Sequence, residues 1–330
     1  MSMATVDYAG SLGKISDSQF DQALRKLGLG SFVKAGRVTG GVVGQNVFLT
    51  STGGEFVFRG RPFYDEQFDV EKFAVDSLRA KTGIPTAYPY IIDNDLEIFG
   101  FRYAIMPRLT GIQTMTGGTR ILELSKPDRL EIARAMARCL AGMQFRLAPE
   151  EYDSKLSDLC YEQISGEAYA QRVIGRTAPD PVGFPGITES DVKYIAGIIE
   201  QNRAALTVPF EPCFLHGDFK EDNVLFSHEN GEWKVCAVFD FAMSHFGDGE
   251  TDLSRLFAMY ADEDAELTRE FIRTYIKLKP PREGFAERLK IYGMQERIGM
   301  WYWAKGQGIA WWDEKLTLRE WLEFYLNIDL

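Results

Sequence analysis

Two oxygen-bearing loops joined by a pair of apolar stretches occupy residues His216 to Phe241. The run His216-Gly217-Asp218-Phe219-Lys220-Glu221-Asp222-Asn223 is polar and leads straight into Val224-Leu225-Phe226. A second apolar stretch, Val235 to Phe239, follows the turn residues Glu229-Asn230-Gly231 and ends at Asp240-Phe241. Short apolar runs separated by turn residues predict two strands. A hairpin built from them returns Asp240 to the neighbourhood of Asp218 and Asn223.

The pattern on the N-terminal side is mostly β-type. Ser16 to Leu27 predicts a first helix, with Phe20, Leu24 and Leu27 at helical spacing. Ser16 and Gln19 form a capping box at its start, and Gly28 or Gly30 ends it. From Lys34 to Arg59 the period changes. Val42-Val43, Val47-Phe48-Leu49 and Phe56-Val57-Phe58 are short β-type runs, the last two joined by the turn Thr52-Gly53-Gly54. Phe68 to Ala80 predicts a helix. Tyr88 to Ile92 and Phe101 to Met106 predict two further strands, joined across Asp93-Asn94-Asp95.

After Pro107 the chain turns helical. Ile132, Ala133, Met136, Ala137, Leu140 and Met143 make an apolar stripe behind the start signals Ser125 and Pro127. Thr177 to Gly186 is a loop rich in proline and glycine, and Glu189 to about Leu206 is a helix. The stretch from Asp252 to Leu330 is helical and rich in aromatics. The expected fold is α+β with two lobes. Residues 1–106 form a small antiparallel sheet with one inserted helix, and residues 107–330 form a larger, mostly helical lobe. A length of 330 residues suits such a division better than one core.

Charge narrows the partners. A formal net charge of −11 argues against nucleic acid or an anionic membrane surface, both of which need basic patches. It is compatible with a cationic small-molecule substrate, but a simple solubility device is the commoner reason for it. Cys139, Cys160, Cys213 and Cys236 form no CxxC pair and suit reduced thiols. Met1 to Gly10 has neither a basic nor an apolar leader region, and no apolar stretch approaches the ~20 residues that span a bilayer. The cytoplasm is the expected location.

The oxygen-bearing loops suit phosphoryl transfer. That reaction needs positioning and charge neutralisation more than covalent help. One carboxylate must orient the attacking hydroxyl and accept its proton. Magnesium takes hard oxygen ligands and needs few of them from the protein, because phosphates and waters supply the rest. Asn223 and Asp240 offer such oxygens. His228 and His245 have no partner at metal-ligand spacing and are expected to be surface or satisfied histidines.

The run His-Gly-Asp-x-x-x-x-Asn followed by Phe-Asp-Phe resembles the aminoglycoside phosphotransferase family, within the wider protein-kinase-like fold. The resemblance extends from about Phe32 to about Arg273. It implies that Asp218 is the catalytic aspartate, that Asn223 and Asp240 hold Mg2+, and that His216 is structural. It implies ATP or GTP as phosphate donor. A lysine at the place of Lys220 approaches the transferred phosphate in protein kinases; exposure to solvent is the alternative here. Gly40, Gly41 and Gly44 make a glycine-rich turn whose amides would approach phosphates, with a plain hairpin as the alternative. Arg59 stands where such folds usually have a lysine for the α- and β-phosphates. Glu71 is its expected partner, with an exposed helix carboxylate as the other reading. Tyr103 to Leu109 resembles the family's hinge. Base recognition there would use one backbone carbonyl and one N–H: beside Met106, Pro107 would accept through its carbonyl and Leu109 would donate, since proline has no N–H, with an edge strand followed by a loop as the alternative. Asp248 and Asp252, in Gly247-Asp248-Gly249-Glu250-Thr251-Asp252-Leu253, are expected to cap the helix that begins near Thr251.

The acceptor is expected to be a small molecule with a hydroxyl, bound by the helical lobe. Aminoglycosides are polycations, so Glu150, Glu151, Asp153, Asp158 and Glu162 are candidates to bind one, as are Glu296, Asp313 and Glu314. A solvated acidic face is the competing reading for each. Trp301, Tyr302, Trp303, Trp311 and Trp312 would form a sugar-binding wall or a buried helix face. The family also contains kinases for macrolides, choline and homoserine. An inactive nucleotide-binding regulator is the alternative of a different class, motivated by Arg59 in place of lysine.

Overall fold

The computed structural model describes residues 5–7, 9–38, 45–148, 151, 166–178, 186–308, 312–313 and 315–326. The class is α+β, as expected. Packing separates two units: one combines the chain up to Leu124 with Glu221–Ser244, the other combines Ser125–Lys220 with the chain from His245 onward.

The first unit is built on a five-stranded antiparallel sheet. Its spatial order is Phe32–Arg37, Asn46–Ser51, Gly54–Gly60, Tyr103–Pro107 and Ile91–Asp93. The helix Asp17–Lys26 covers one face. Ser16 caps it as expected: its Oγ accepts from the Gln19 N–H at 3.3 Å, and its own N–H donates to Gln19 Oε1 at 3.0 Å. Phe20 from this helix meets Phe58 edge-on with ring centroids 5.4 Å apart. Val47, Leu49, Phe56, Phe58, Tyr103 and Ile105 join the same core. Alternation along the strands then puts Phe48, Val57 and Arg59 on the other face. The second helix, Gln67–Lys81, extends one residue beyond the predicted span at each end.

Two elements depart from the expected pattern. Strand Phe32–Arg37 carries no clean alternation, because it lies at the sheet edge and shows half-buried and exposed residues in succession. The strand expected over Tyr88 to Ile92 is confined to Ile91–Asp93, since Pro89 has no N–H to give to a ladder. Val42 and Val43 lie outside the described residues.

The predicted hairpin is present as Val224–Glu229 paired with Glu232–Val238. Its turn residues Asn230 and Gly231 both have positive φ, 54° and 78°, the geometry that matches strand twist. Ile112 and Phe226 exchange backbone hydrogen bonds of 2.7 and 2.9 Å, and the Val238 N–H donates to the Pro85 carbonyl at 2.9 Å. These bonds tie the hairpin into the unit of the sheet. By packing, 107–124 and the hairpin therefore group with the first lobe, whereas a linear division at 106/107 assigns them to the second.

Gly111 makes this docking close. A Cβ there would sit 2.7 Å from both Cys236 Sγ and Leu225 Cβ and 3.1 Å from the Phe226 carbonyl oxygen. Gly111→Ala is expected to lower stability by ~1–3 kcal/mol through overpacking. Urea unfolding checks this, and an unchanged midpoint would mean that the hairpin is not packed this tightly.

The second unit is helical. Among the described residues its helices are Lys126–Met143, Gly166–Thr177, Glu189–Leu206, Leu253–Glu263, Ala265–Leu278, Phe285–Gln307 and Leu318–Leu326, with a short strand pair, Cys213–Leu215 against His245–Gly247. Asp248 and Glu250 are buried and are answered by Arg282 and Arg288, with Arg282 Nη2 2.5 Å from Asp248 and Arg288 Nε 2.7 Å from Glu250. Buried carboxylates need such partners to stay charged. No helix among the described residues is long and apolar enough to cross a membrane.

Candidate active site

In the first unit Arg59 is the penultimate residue of the strand Gly54–Gly60, on the face opposite the Phe20 core. Its Nη2 lies 3.2 Å from Glu71 Oε1 and 3.1 Å from Asp240 Oδ1. The expected partner Glu71 is thus in place. Glu71 is a buried side chain that accepts from Gln67 Nε2 at 2.7 Å and from the Tyr90 hydroxyl at 2.6 Å. Burial pushes its carboxyl up, against the pull of Arg59 and the two donors. Burial also works against the Arg59 charge, but Glu71 and Asp240 outweigh it and hold the guanidinium above its ordinary value. Gln67 and Tyr90 had no sequence signal: an amide on a helix and a tyrosine after a proline look ordinary until Glu71 is found between them.

The hairpin returns Asp240 to Asn223. The Phe239 N–H donates to the Asn223 carbonyl at 3.1 Å, directly below the pair Val224 and Val238. Asn223 is buried in a 3-10 turn, Glu221–Asn223. Glu221 anchors that turn, accepting from Thr114 Oγ1 at 2.6 Å and facing Arg120 at 3.3 Å. Asp240 has φ of +66°, unusual for a residue with a Cβ. Its side chain is 42% exposed while its partner Arg59 is 9% exposed. One carboxylate oxygen is thus pinned on a buried cation while the group still faces solvent.

This donor set fits a magnesium–nucleotide group. An aspartate carboxylate and an asparagine amide are hard oxygen donors, and Arg59 Nε is a buried donor with no hydrogen-bond partner. Hard oxygen donors few in number are what an ion of the magnesium kind takes from a protein; among the described residues no three His, Cys, Asp or Glu side chains form a metal cluster.

The hinge residues lie on the strand Tyr103–Pro107. Met106 stands opposite Val57 and Pro107 opposite Phe56. On the other side the neighbouring strand ends with Ile91 opposite Ile105, so the ladder on that edge stops before Met106. The Arg108 N–H donates to the Glu55 carbonyl at 3.0 Å. Leu109, next along, is half-buried. Gly41 and Gly44, the expected phosphate-approaching glycines, lie outside the described residues, as does Gly40.

In the second unit Asp218 is held by two cations. Lys220 Nζ donates to its Oδ2 at 2.7 Å, and Arg255 Nε lies 3.3 Å from its Oδ1. Burial alone would raise its carboxyl; Arg255 and Lys220 overcome that and hold it below the usual carboxylate range. Lys220 is therefore no free surface lysine. The loop backbone is fixed as well. Asp252 accepts from the His216 N–H at 2.6 Å and from the Gly217 N–H at 2.9 Å. His216 is fully buried, and its Nδ1 accepts from the Asp218 N–H at 3.3 Å, which agrees with a structural role.

Asp252 corrects an expectation. Asp248 does cap, accepting from the Glu250 N–H at 3.1 Å at the start of the 3-10 turn Gly249–Asp252. Asp252 makes no side-chain cap to the helix Leu253–Glu263, because its carboxylate is taken by the two amides of the Asp218 loop.

The three acidic substrate candidates among the described residues have partners of their own. Glu296 pairs with Arg255 Nε at 2.8 Å. Asp313 accepts from the Lys315 N–H at 3.0 Å, and Glu151 from the Ala148 N–H at 2.7 Å. Glu150, Asp153, Asp158, Glu162 and Glu314 lie outside the described residues, as do Trp311 and Cys160. Trp301 is buried and stacks on Trp312 at 5.1 Å, and Trp312 meets Trp321 at 4.2 Å. Arg297 lies 3.8 Å over both Trp321 and Tyr325. For Trp301 the buried helix face is the correct alternative; Trp312 is half-buried and stacks on it from a bend outside the helices. Trp303 is exposed. His228 stacks on Trp233 at 4.4 Å, a satisfied surface histidine.

The model of the phosphotransferase enzyme family matches residues 34–287 of this chain. Acyl-CoA dehydrogenase family member 11 of Mus musculus is 24% identical over 200 residues, 59% of this chain and 23% of that protein. The homoserine kinase of Burkholderia ambifaria is 27% identical over 240 residues, 69% of this chain and 64% of the relative. The chain thus spans about a quarter of the length of the first and just under two thirds of the second. Among solved structures, the GDP complex of aminoglycoside 2'-phosphotransferase-IIIa superposes with a TM-score of 0.61 at 13% identity, over 92% of this chain and 94% of the other. Aminoglycoside phosphotransferase APH(4)-Ia gives 0.58 at 14% identity, over 96% and 100%. These neighbours share the fold, which is kinase-like.

Proposed function

The chain belongs to the phosphotransferase enzyme family, and from that premise we propose that it is a small-molecule kinase. It transfers the γ-phosphate of ATP or GTP to a hydroxyl group. The observation that carries this reading is the pair of charge-fixed carboxylates: Asp240 on Arg59, and Asp218 on Lys220 and Arg255.

Arg59 binds the phosphates of the donor through its guanidinium, kept charged by Glu71. Asn223 and Asp240 would hold Mg2+, which when bound would supply charge neutralisation for the transferred phosphoryl group. Met106, Pro107 and Leu109 receive the base along the strand edge, and Gly41 and Gly44 cover the phosphates. Asp218 orients the acceptor hydroxyl and takes its proton. The acceptor oxygen forms the new bond to phosphorus as the bridging oxygen leaves with the nucleoside diphosphate. Asp218 need not be a strong base, because little proton transfer precedes a loose transition state. Its low basicity therefore fits its role. Only four residues separate Asp218 from Asn223, so the chain between their Cα atoms spans at most ~18 Å.

For the acceptor, an aminoglycoside-type antibiotic is the first reading, supported by the acidic balance of the chain and by the fold shared with aminoglycoside kinases. Resistance would then be the biological role, exercised in the cytoplasm. A second reading is a small hydroxylated metabolite such as an amino acid alcohol. The engagement of Glu151, Glu296 and Asp313 with partners of their own favours it, as does the homoserine kinase relative. Turnover of ATP and GTP with kanamycin, hygromycin B and L-homoserine separates the readings. Stoichiometric nucleotide binding with no turnover for any hydroxyl acceptor would instead favour the inactive regulator.

A further inference from the structure

Arg255 is the element of the Asp218 environment that no sequence pattern announced. It lies three residues after Asp252, so the two side chains leave the same face of one helix start. Asp252 grips the backbone of the loop at residues 216 and 217, and Arg255 reaches the side chain of Asp218. Arg255 is in turn held from the long helix Phe285–Gln307 at two points one helical turn apart. Glu296 Oε1 lies 2.8 Å from its Nε, and Met300 Sδ accepts from its Nη1 at 2.8 Å. Guanidinium is a planar fork: the Met300 contact holds its Nη1 end, and its Nε lies between the carboxylates of Glu296 and Asp218.

We propose that Arg255 is a positioning residue for Asp218, and that Glu296 sets Arg255 in turn. The inference rests on the reading of Asp218 as the base. Lys220 binds Oδ2 and Arg255 faces Oδ1, so the carboxylate is restrained on both oxygens. A lone lysine on a flexible stem would leave it free to rotate. Glu296 has a second effect. It is a half-buried carboxylate that shares Arg255 Nε with Asp218, so the charge of the guanidinium is divided between two carboxylates and not committed to Asp218 alone. The competing role for Glu296, as a ligand for a cationic acceptor, requires Arg255 to give it up.

The test uses the full-length chain, Arg255→Met, Arg255→Lys and Glu296→Gln, with Asp218→Asn for reference. Two readouts are taken. The first is the kcat and KM for ATP and for whichever of kanamycin or L-homoserine the wild type turns over. A misplaced catalytic group costs on the order of 100-fold, so Arg255→Met should lose about 10- to 100-fold in kcat with both KM values nearly unchanged. Arg255→Lys should recover only part of this, and Glu296→Gln should lose less than Arg255→Met. The second readout is the urea midpoint of Arg255→Met, Asp218→Asn and their double variant, which needs no acceptor. The two substitutions should be non-additive, because each removes one end of the same contact. Additive midpoints overturn the proposal, and so does a loss confined to the acceptor KM, which would make Arg255 a substrate ligand. If Asp218→Asn itself turns over at the wild-type rate, the base assignment fails instead, and the midpoints still decide whether Arg255 holds Asp218.

Discussion

Replacing Asp218 with alanine is expected to lower turnover by about 100- to 10,000-fold, the range of general base catalysis, while nucleotide affinity changes little. Both parts follow from where Asp218 stands. Its carboxylate is restrained by Lys220 and Arg255, whereas the groups read as holding the nucleotide are Arg59, Glu71, Asn223 and Asp240. Their contacts run through Gln67, Tyr90 and the base of the hairpin. Removing the carboxylate also leaves two cations facing each other, so Asp218→Asn is the cleaner companion. Asparagine keeps the shape and one acceptor oxygen while it loses the charge and turns the other oxygen into an NH2 donor. Steady-state kinetics with calorimetric binding of a non-hydrolysable nucleotide measures both quantities. Turnover in Asp218→Ala within about tenfold of wild type would remove the base assignment, and a loss of nucleotide affinity of similar size would mean that the loop is structural.

What could be read from the sequence was local in the chain. The capping box at Ser16 and Gln19, the Asn230-Gly231 turn and the His216-to-Asn223 run each involve residues within a few positions of one another, and each has its chemistry written in residue type. The pair Arg59 and Glu71 is twelve positions apart but joins the end of one strand to the first turns of the next helix, which a resemblance can supply. What could not be read depended on distant residues choosing among equal partners. Asp252 had the composition of a helix cap, but the Asp218 loop places two amides against it, and those won. Glu296 looked like one of many acidic substrate ligands until Arg255, 41 positions earlier, lay against it. For Trp301 and Trp312 residue type favoured a buried helix face over a sugar wall without showing what would cover them. Burial of an aromatic is decided by Trp321 and Arg297 arriving from elsewhere. Strand Phe32–Arg37 was invisible for the opposite reason: an edge strand half open to solvent imposes no alternation.

The second large effect is expected at Asp240, and the choice of variant matters because of its backbone. Its φ of +66° places it in the left-handed region, where asparagine and aspartate are tolerated better than other residues with a Cβ. Alanine would add a conformational cost of roughly 1–2 kcal/mol and confound folding with function. Asp240→Asn keeps the conformation and removes only the charge. Arg59 then loses one of its two carboxylate partners but keeps Glu71, which is itself held by Gln67 and Tyr90. The phosphate-binding cation should therefore remain in place, and nucleotide binding without metal should be nearly unaffected or slightly stronger, since a negative charge near the phosphates has gone. Binding in the presence of Mg2+ should behave differently. In the wild type Mg2+ should strengthen nucleotide binding, and in Asp240→Asn that gain should fall by at least the about 10- to 100-fold that loss of even an outer-shell partner of a metal ligand costs. Turnover should fall with it. Calorimetric titration of ATP with and without Mg2+, for both proteins, isolates the difference. If the gain from Mg2+ is the same in both, Asp240 is an ion-pair partner of Arg59 and nothing more, and the metal must be held by other oxygens.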